Sequence, residues 1–345
     1  MNKTALVVFT ILAITFPALS GAQGSTLSIP GQINDIQEQI STSMEPRIPA
    51  PGDTVTITLA AYGTDLNRAN ITWTRNGRVE LKGDGEKVFT FTAAKLGGTD
   101  TIIASIKPVN GPVVEKKFTI SPAEVDLLWE ARTYTPPFYK GKALFTPQAD
   151  VIFVAMPNMI IGGSKVATNK VSYKWSTDYV VAGDKSGLGK NTFAYTGSII
   201  LSPHVFKVET YAASDPKVTA KSDLTLEAVD PSVNIYEDHP LYGILFNKSL
   251  LGDFNMNDKE KRISAYPYFF SSGSRGVDLT YQWSINDERI VAPETESSMS
   301  FRKTASDSGT AGVKVRVNST KNLLQQAFGY VALYFNSGNS VFLRQ

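Results

Sequence analysis

The sequence predicts an all-β chain of three tandem antiparallel β-sandwich domains, and two observations carry that prediction. First, a tryptophan-centred stretch occurs three times: Ile71-Thr-Trp73-Thr-Arg-Asn-Gly77, Tyr173-Lys-Trp175-Ser-Thr-Asp-Tyr179 and Tyr281-Gln-Trp283-Ser-Ile-Asn-Asp287. The copies lie about 100 residues apart, the length of one sandwich domain. In each, a β-branched or aromatic residue stands two places before the tryptophan, so both side chains point to one face of a strand. Second, short alternating apolar runs are separated by turn residues every ten or so positions, the mark of an antiparallel sandwich.

The elements follow in order. Thr54 to Leu59 alternates Val55, Ile57 and Leu59 on one face with threonine on the other, a half-buried strand. Ile71 to Trp73 is the next inward strand, closed by Asn76-Gly77, a strong hairpin signal. Runs at 87–92, 101–106 and 115–120 complete the first unit. The second repeats the order at 149–155, 171–175, 191–195, 204–211 and 219–228. The third runs through 262–270, 279–283, 299–302, 311–317 and 329–335, and the turn residues at 336–339 are expected to fold 341–343 back onto it. These runs divide the chain into domains at 40–122, 123–230 and 231–345. The entries into the second and third are alike: a proline, a short apolar strand ending aromatic-Glu (Trp129-Glu130 and Tyr236-Glu237), then a proline-containing corner. Neither entry is a Gly/Ser linker, so the domains are expected to abut at a set angle.

Residues 1–22 read as a secretory signal peptide. Lys3 supplies positive charge, Ala5 to Leu19 is almost wholly apolar, and Ser20-Gly-Ala22 offers small residues for cleavage after Ala22. An uncleaved N-terminal anchor is the alternative. Residues 23–39 form a polar leader, either flexible or one short amphipathic helix. The chain has 345 residues, a net charge of +2 and no cysteine. Near-neutral charge argues against a nucleic-acid partner, and no other apolar run is long enough for a transmembrane helix. Without cysteine there is no disulfide, thiolate metal site or thiol nucleophile, and each domain must be held by its apolar core.

Candidate chemistry is sparse. Trp73, Trp175 and Trp283 are read as structural core residues between the sheets, as in immunoglobulin-type sandwiches, in preference to a sugar-stacking series. The junction aromatics Trp129, Tyr134, Phe138, Tyr139, Tyr236 and Tyr242 are the candidate binding residues, or else a small interdomain core. His239 in Glu237-Asp238-His239 lacks a second nitrogen or sulfur ligand nearby, and His204 begins an alternating strand, so no metal centre or cofactor is assigned. No Gly-x-Ser-x-Gly elbow and no nucleophile–base pair is visible, so no catalytic residue is named. Asp253 to Glu260 alternates oxygen ligands as calcium loops do, but Asp258 and Ser264 replace the glycine and the bidentate glutamate such loops need. A solvated loop is the preferred reading, with weak calcium binding left open. Gly187-Leu-Gly189-Lys190 fails the phosphate-loop spacing and is expected to be a mobile inter-strand loop.

Tryptophan-centred strands in a cysteine-free tandem sandwich resemble bacterial immunoglobulin-like and PKD-like domains, although Trp73 is followed by Thr-Arg-Asn-Gly where PKD domains carry Asp-Phe-Gly-Asp-Gly. The phrases Thr64-Asp-Leu-Asn-Arg-Ala-Asn-Ile-Thr-Trp73, Trp129-Glu-Ala-Arg-Thr-Tyr-Thr-Pro-Pro-Phe-Tyr-Lys-Gly141 and Tyr236-Glu-Asp-His-Pro-Leu241 resemble those of uncharacterised exported tandem Ig-like proteins of small-genome candidate-phylum bacteria. The resemblance implies a cell-surface or extracellular protein and supplies no catalytic residue. A non-enzymatic spacer and interaction scaffold, with protein or surface-glycan partners unknown, is therefore expected. A carbohydrate-binding accessory protein and a pilus or secretion-system accessory are the alternatives.

Overall fold

The computed structural model describes residues 40–199, 202–250, 252–271, 278–303 and 309–335. The signal peptide, the leader and the expected 341–343 strand lie outside them. Among the described residues there is no α-helix, and no helix is long and apolar enough to cross a membrane.

The first sandwich comprises β1 (Ile40–Glu45), β2 (Thr54–Ala61), β3 (Asn70–Arg75), β4 (Arg78–Asp84), β5 (Val88–Thr92), β6 (Asp100–Lys107) and β7 (Val114–Pro122). The second comprises β8 (Glu124–Ala131), β9 (Asp150–Asn158), β10 (Ile160–Ile161), β11 (Ser164–Lys165), β12 (Val171–Thr177), β13 (Val180–Val181), β14 (Gly187–Leu188), β15 (Thr192–Thr196), β16 (His204–Ala212) and β17 (Val218–Leu226). The third comprises β18 (Ser232–His239), β19 (Gly243–Ser249), β20 (Gly252–Asn255), β21 (Glu260–Tyr268), β22 (Leu279–Ile285), β23 (Glu288–Arg289), β24 (Ser298–Arg302), β25 (Gly309–Ser319) and β26 (Gln326–Phe335). Each unit faces a smaller sheet (β1-β2-β5, β15-β9-β8 or β19-β18-β21-β24) against a larger one. The protein is thus a tandem array of immunoglobulin-like β-sandwiches.

Alternation explains the cores. On β2, Val55, Ile57 and Leu59 are buried while the threonines between them face outward. The three tryptophans are 0, 0 and 1% exposed. Burying an indole removes about 150–250 Å² from water, worth roughly 4–6 kcal/mol at 25 cal/mol per Å² before entropic costs. Each ring nitrogen is also satisfied. Trp73 Nε1 donates to the Glu86 carbonyl at 2.8 Å, Trp175 to Lys190 at 2.9 Å and Trp283 to Glu296 at 2.9 Å.

The repeat extends to the turn after each tryptophan. Residue pairs Asn76/Gly77, Asp178/Tyr179 and Asn286/Asp287 all have positive φ at both positions, as the type I′ hairpin demands. The first member is an Asx residue three places after the tryptophan, and it ties the hairpin to the neighbouring strand twice. Its backbone N–H donates to Thr101, Val205 or Gly312 carbonyl, and its Oδ1 accepts the same residue's N–H. A short polar side chain tolerates left-handed backbone and supplies the acceptor, which is why Asn or Asp stands there.

Three features depart from the sequence expectations. The larger sheets of the first two sandwiches are one nine-stranded sheet, because β7 and β17 pair in parallel through Ser121–Val218 and Pro122–Thr219. A second parallel ladder joins β20 to β26. The segment expected to be a mobile loop around Gly187 contains β14, which pairs with Ser172 and Tyr173. Pairings of two to four residues carry no periodicity for a sequence reading to detect.

Candidate functional site

The junction aromatics do not gather at one place. Tyr236 is buried at the boundary of the second and third sandwiches, where it forms a cluster with Tyr268, Phe269, Leu144, Ile244, Phe246 and Tyr266. Its hydroxyl bonds that of Tyr268, and burial, the largest cause, together with this bond pushes its pKa up to about 12. Tyr139 meets Tyr268 and Phe269 edge-on at 5.7 Å each, an arrangement aromatic quadrupoles favour. Tyr134 exchanges backbone hydrogen bonds with Phe269 and Phe270 and lines a cavity of about 370 Å³ with Pro137, Tyr266 and Tyr281. Phe138 is 85% exposed and touches only the rim of the cluster, its ring 6.1 Å from Phe246. Tyr242 is also exposed, with its ring 4.7 Å from that of His239. Trp129 stands apart on β8, half-buried against the second core, with the Lys142 ammonium 3.3 Å from its ring centroid. Burial there lowers the Lys142 pKa.

Beside the aromatic cluster lies a polar joint. Gln325, 1% exposed, donates from Nε2 to Thr146 Oγ1 at 3.2 Å and to the Pro147 carbonyl at 2.6 Å, while its Oε1 accepts from Ser271 N. Thr146 Oγ1 in turn donates to the Phe269 carbonyl. Every member is paired, the condition under which a buried polar network specifies one geometry.

The first junction is held differently. β7 ends at Pro122 and β8 begins at Glu124, with the buried Ala123 alone between them. Beside it, Arg47 of the first sandwich reaches Glu209 on β16 at 2.8 Å. Glu209 is 4% exposed and also receives Lys174, Lys207 and the Tyr211 hydroxyl. Burial alone would raise its carboxyl, but the hydrogen bonds from Lys207, Tyr211 and Arg47 outweigh that and hold it at about 2.

One histidine constellation emerges. His204 Nδ1 is 2.6 Å from Asp178 Oδ2, and its Nε2 is 3.4 Å from the Tyr195 hydroxyl. An ionised carboxylate only accepts, so Nδ1 carries a proton, and Nε2 faces the Tyr195 hydroxyl. Burial works to raise the Asp178 pKa, but the bonds from His204 and Val205 N bring it below the ordinary value. Burial, with the Asp178 charge, raises the Tyr195 hydroxyl, and the chain of bonds ties Tyr195 and His204 to the hairpin at Asp178. His239 Nδ1 accepts the N–H groups of Leu241 and Tyr242, closing its own turn. Of the calcium-like segment, Asp253 and Asn255 lie on β20, and Asp258 pairs with Lys261 at 2.8 Å. Among the described residues, no three His, Cys, Asp or Glu side chains are placed to hold a metal ion.

The sequence reading missed the partners of Asp178, Glu209 and Gln325. Tryptophan followed three places later by Asn or Asp was a usable signal for the first. The others had none.

No protein-family model and no curated protein matches the chain. Among solved structures, it is similar to the three N-terminal domains of the bacteriophage RB49 highly immunogenic outer capsid protein, at 14% identity over 87% of this chain and 99% of that one, TM-score 0.26. It is also similar to the central fibronectin-III array of RIM-binding protein, at 11% identity over 83% and 92%, TM-score 0.28. A third is the Bacteroides ovatus SGBP-B of a mixed-linkage glucan utilization locus, solved with a mixed-linkage heptasaccharide, at 11% identity over 86% and 70%, TM-score 0.21. At these scores the likenesses carry no argument about function, and the fold rests on the chain's own strand pairing.

Proposed function

We propose that the chain is a non-enzymatic, exported scaffold at the cell surface or in the medium, related to the Ig-like repeat proteins of candidate-phylum bacteria. Stacked sandwiches space loops and sheet faces away from the cell for adhesion or envelope assembly. The observation that carries this reading is the build of the joints: a shared sheet with one intervening residue at the first, and a satisfied buried network at the second. A chain made to display surfaces at fixed spacing needs such joints, whereas a flexible tether needs polar linkers. The signal-like residues 1–22 accord with export. Fractionation of the native cell, with protease added to intact cells and crosslinked partners identified by mass spectrometry, tests it. The expected result is a protease-accessible chain beginning at Gln23. A full-length chain protected in the cytosol sinks the proposal.

A further inference from the structure

The outer face of the larger sheet in the third sandwich is unlike the same face in the other two. On β26, Phe328, Tyr330 and Tyr334 alternate outward and are 59, 50 and 38% exposed. The corresponding last strands carry Glu115, Lys117 and Thr119 on β7, and Thr219, Lys221 and Asp223 on β17. Single exposed apolar residues are ordinary, but an aligned aromatic row on one face marks a contact surface.

Its neighbours are polar and in register. Arg316 lies opposite Phe328 and Lys314 opposite Tyr330, with Gln282 and Ser284 next on β22. With Asp287 and Arg289 they bound a groove of about 600 Å³. Two details place the rings along the sheet. The Arg316 guanidinium stands 4.8 Å from the centroid of the Phe328 ring. Tyr330 leans across β25 over Gly312, where a Cβ would come within 3.3 Å of its ring.

The charges narrow the class of ligand. Lys314 is paired with Asp287 and Arg289 with Glu294, leaving Arg316 the one groove cation with no ion pair among the described residues. A phosphodiester chain needs a run of cations free to neutralise it, which this face does not offer. Exposed rings rimmed by an amide, a carboxylate and a guanidinium match a pyranose chain. Its C–H faces stack on the aromatics, while its hydroxyls both donate to Asp287 and accept from Gln282 and Arg316. A chain of β-linked pyranoses is ribbon-like and suits a groove lying along a sheet. We infer that this face binds a β-linked glycan chain, with Phe328 and Tyr330 as the stacking platform.

Affinity electrophoresis of the full chain tests this, using native gels containing hydroxyethylcellulose, mixed-linkage β-glucan or xylan. The expected result is retardation by at least one of the three. Phe328→Ala with Tyr330→Ala should lose tenfold or more in affinity. Gly312→Val, which lifts the Tyr330 ring, should lose severalfold. Thermal unfolding of both variants, followed by circular dichroism, should stay close to that of the parent because the rings are exposed. Absence of retardation by all three glycans, or parental retardation of the double variant, overturns the inference. So does binding of oligothymidylate in place of glycan, or a dimer in solution that this double variant dissolves. The test reads the face alone, so its failure leaves the scaffold proposal standing.

Discussion

The two junctions achieve firm joints by opposite chemistry. At the first, backbone pairing between β7 and β17 is supplemented by Arg47 on a buried carboxylate, Glu209. At the second, aromatic edges, the backbone bonds of Tyr134 and the neutral amides of Gln325 and Gln148 do the joining. The difference teaches that the first joint is coupled to acid through Glu209, whereas the neutral contacts of the second are not. Removing one partner from a buried, charged or polar contact leaves the other unsatisfied, and that cost decides how each joint fails.

The largest effect against which to scale the joints is loss of a core. Trp175→Ala should destabilise the second sandwich by about 3–5 kcal/mol, read as an early transition in urea. If Trp73→Ala and Trp283→Ala act instead on that same transition, the units unfold together and the joints couple them more tightly than the comparison supposes. Next, Gln325→Ala strands Ser271 N and the Pro147 carbonyl and should cost about 1–3 kcal/mol. Hydrogen exchange should rise at Ser271 while Val218 and Thr219, at the other joint, stay protected. Exchange rising equally at both joints would break the distinction.

Acid should then separate the joints. Glu209 has a depressed folded pKa, so its contribution is full above its unfolded value near 4.5 and is lost as pH falls toward about 2. Asp178, also depressed, acts in the same direction below its ordinary 3.8. Small-angle scattering between pH 5 and pH 2 should therefore show the first joint loosening before the second, and Glu209→Gln should flatten that response. The smallest effect is expected of Asp178→Asn. It recreates the amide found at Asn76 and Asn286, keeps the acceptor for Val205 N and removes only the half-exposed hydrogen bond from His204. The change should be about 0–1 kcal/mol, with the acid sensitivity of the Val205 amide reduced.

Much of the fold was legible in sequence because its determinants are local. Alternation fixed β2, and tryptophan with its partner two residues earlier fixed β3, β12 and β22. The joints were illegible for the converse reason: Arg47 and Glu209 are 162 residues apart, and Gln325 and Thr146 are 179 apart. Neither pair sits in a pattern with a period. The junction aromatics were conspicuous, yet composition could not separate Tyr236, buried in a cluster, from Phe138 at its rim. The aromatic row of β26 was hidden for a different reason. A strand rich in apolar residues on both faces reads as more core, and only the pairing with β25 shows that Phe328 and Tyr330 face away from it.

The single residue between β7 and β8 also bears on mechanics. A tether lengthens first by straightening its slack, at little force. Here Ala123 has none to give, so tension applied across the first junction passes from one strand directly into the next. The parallel β7–β17 pairing and the Arg47–Glu209 bond lie beside that path and must shear before the units part. Extension would then come in steps, each the release of a whole sandwich, and the spacing between the sandwiches would hold until the first step.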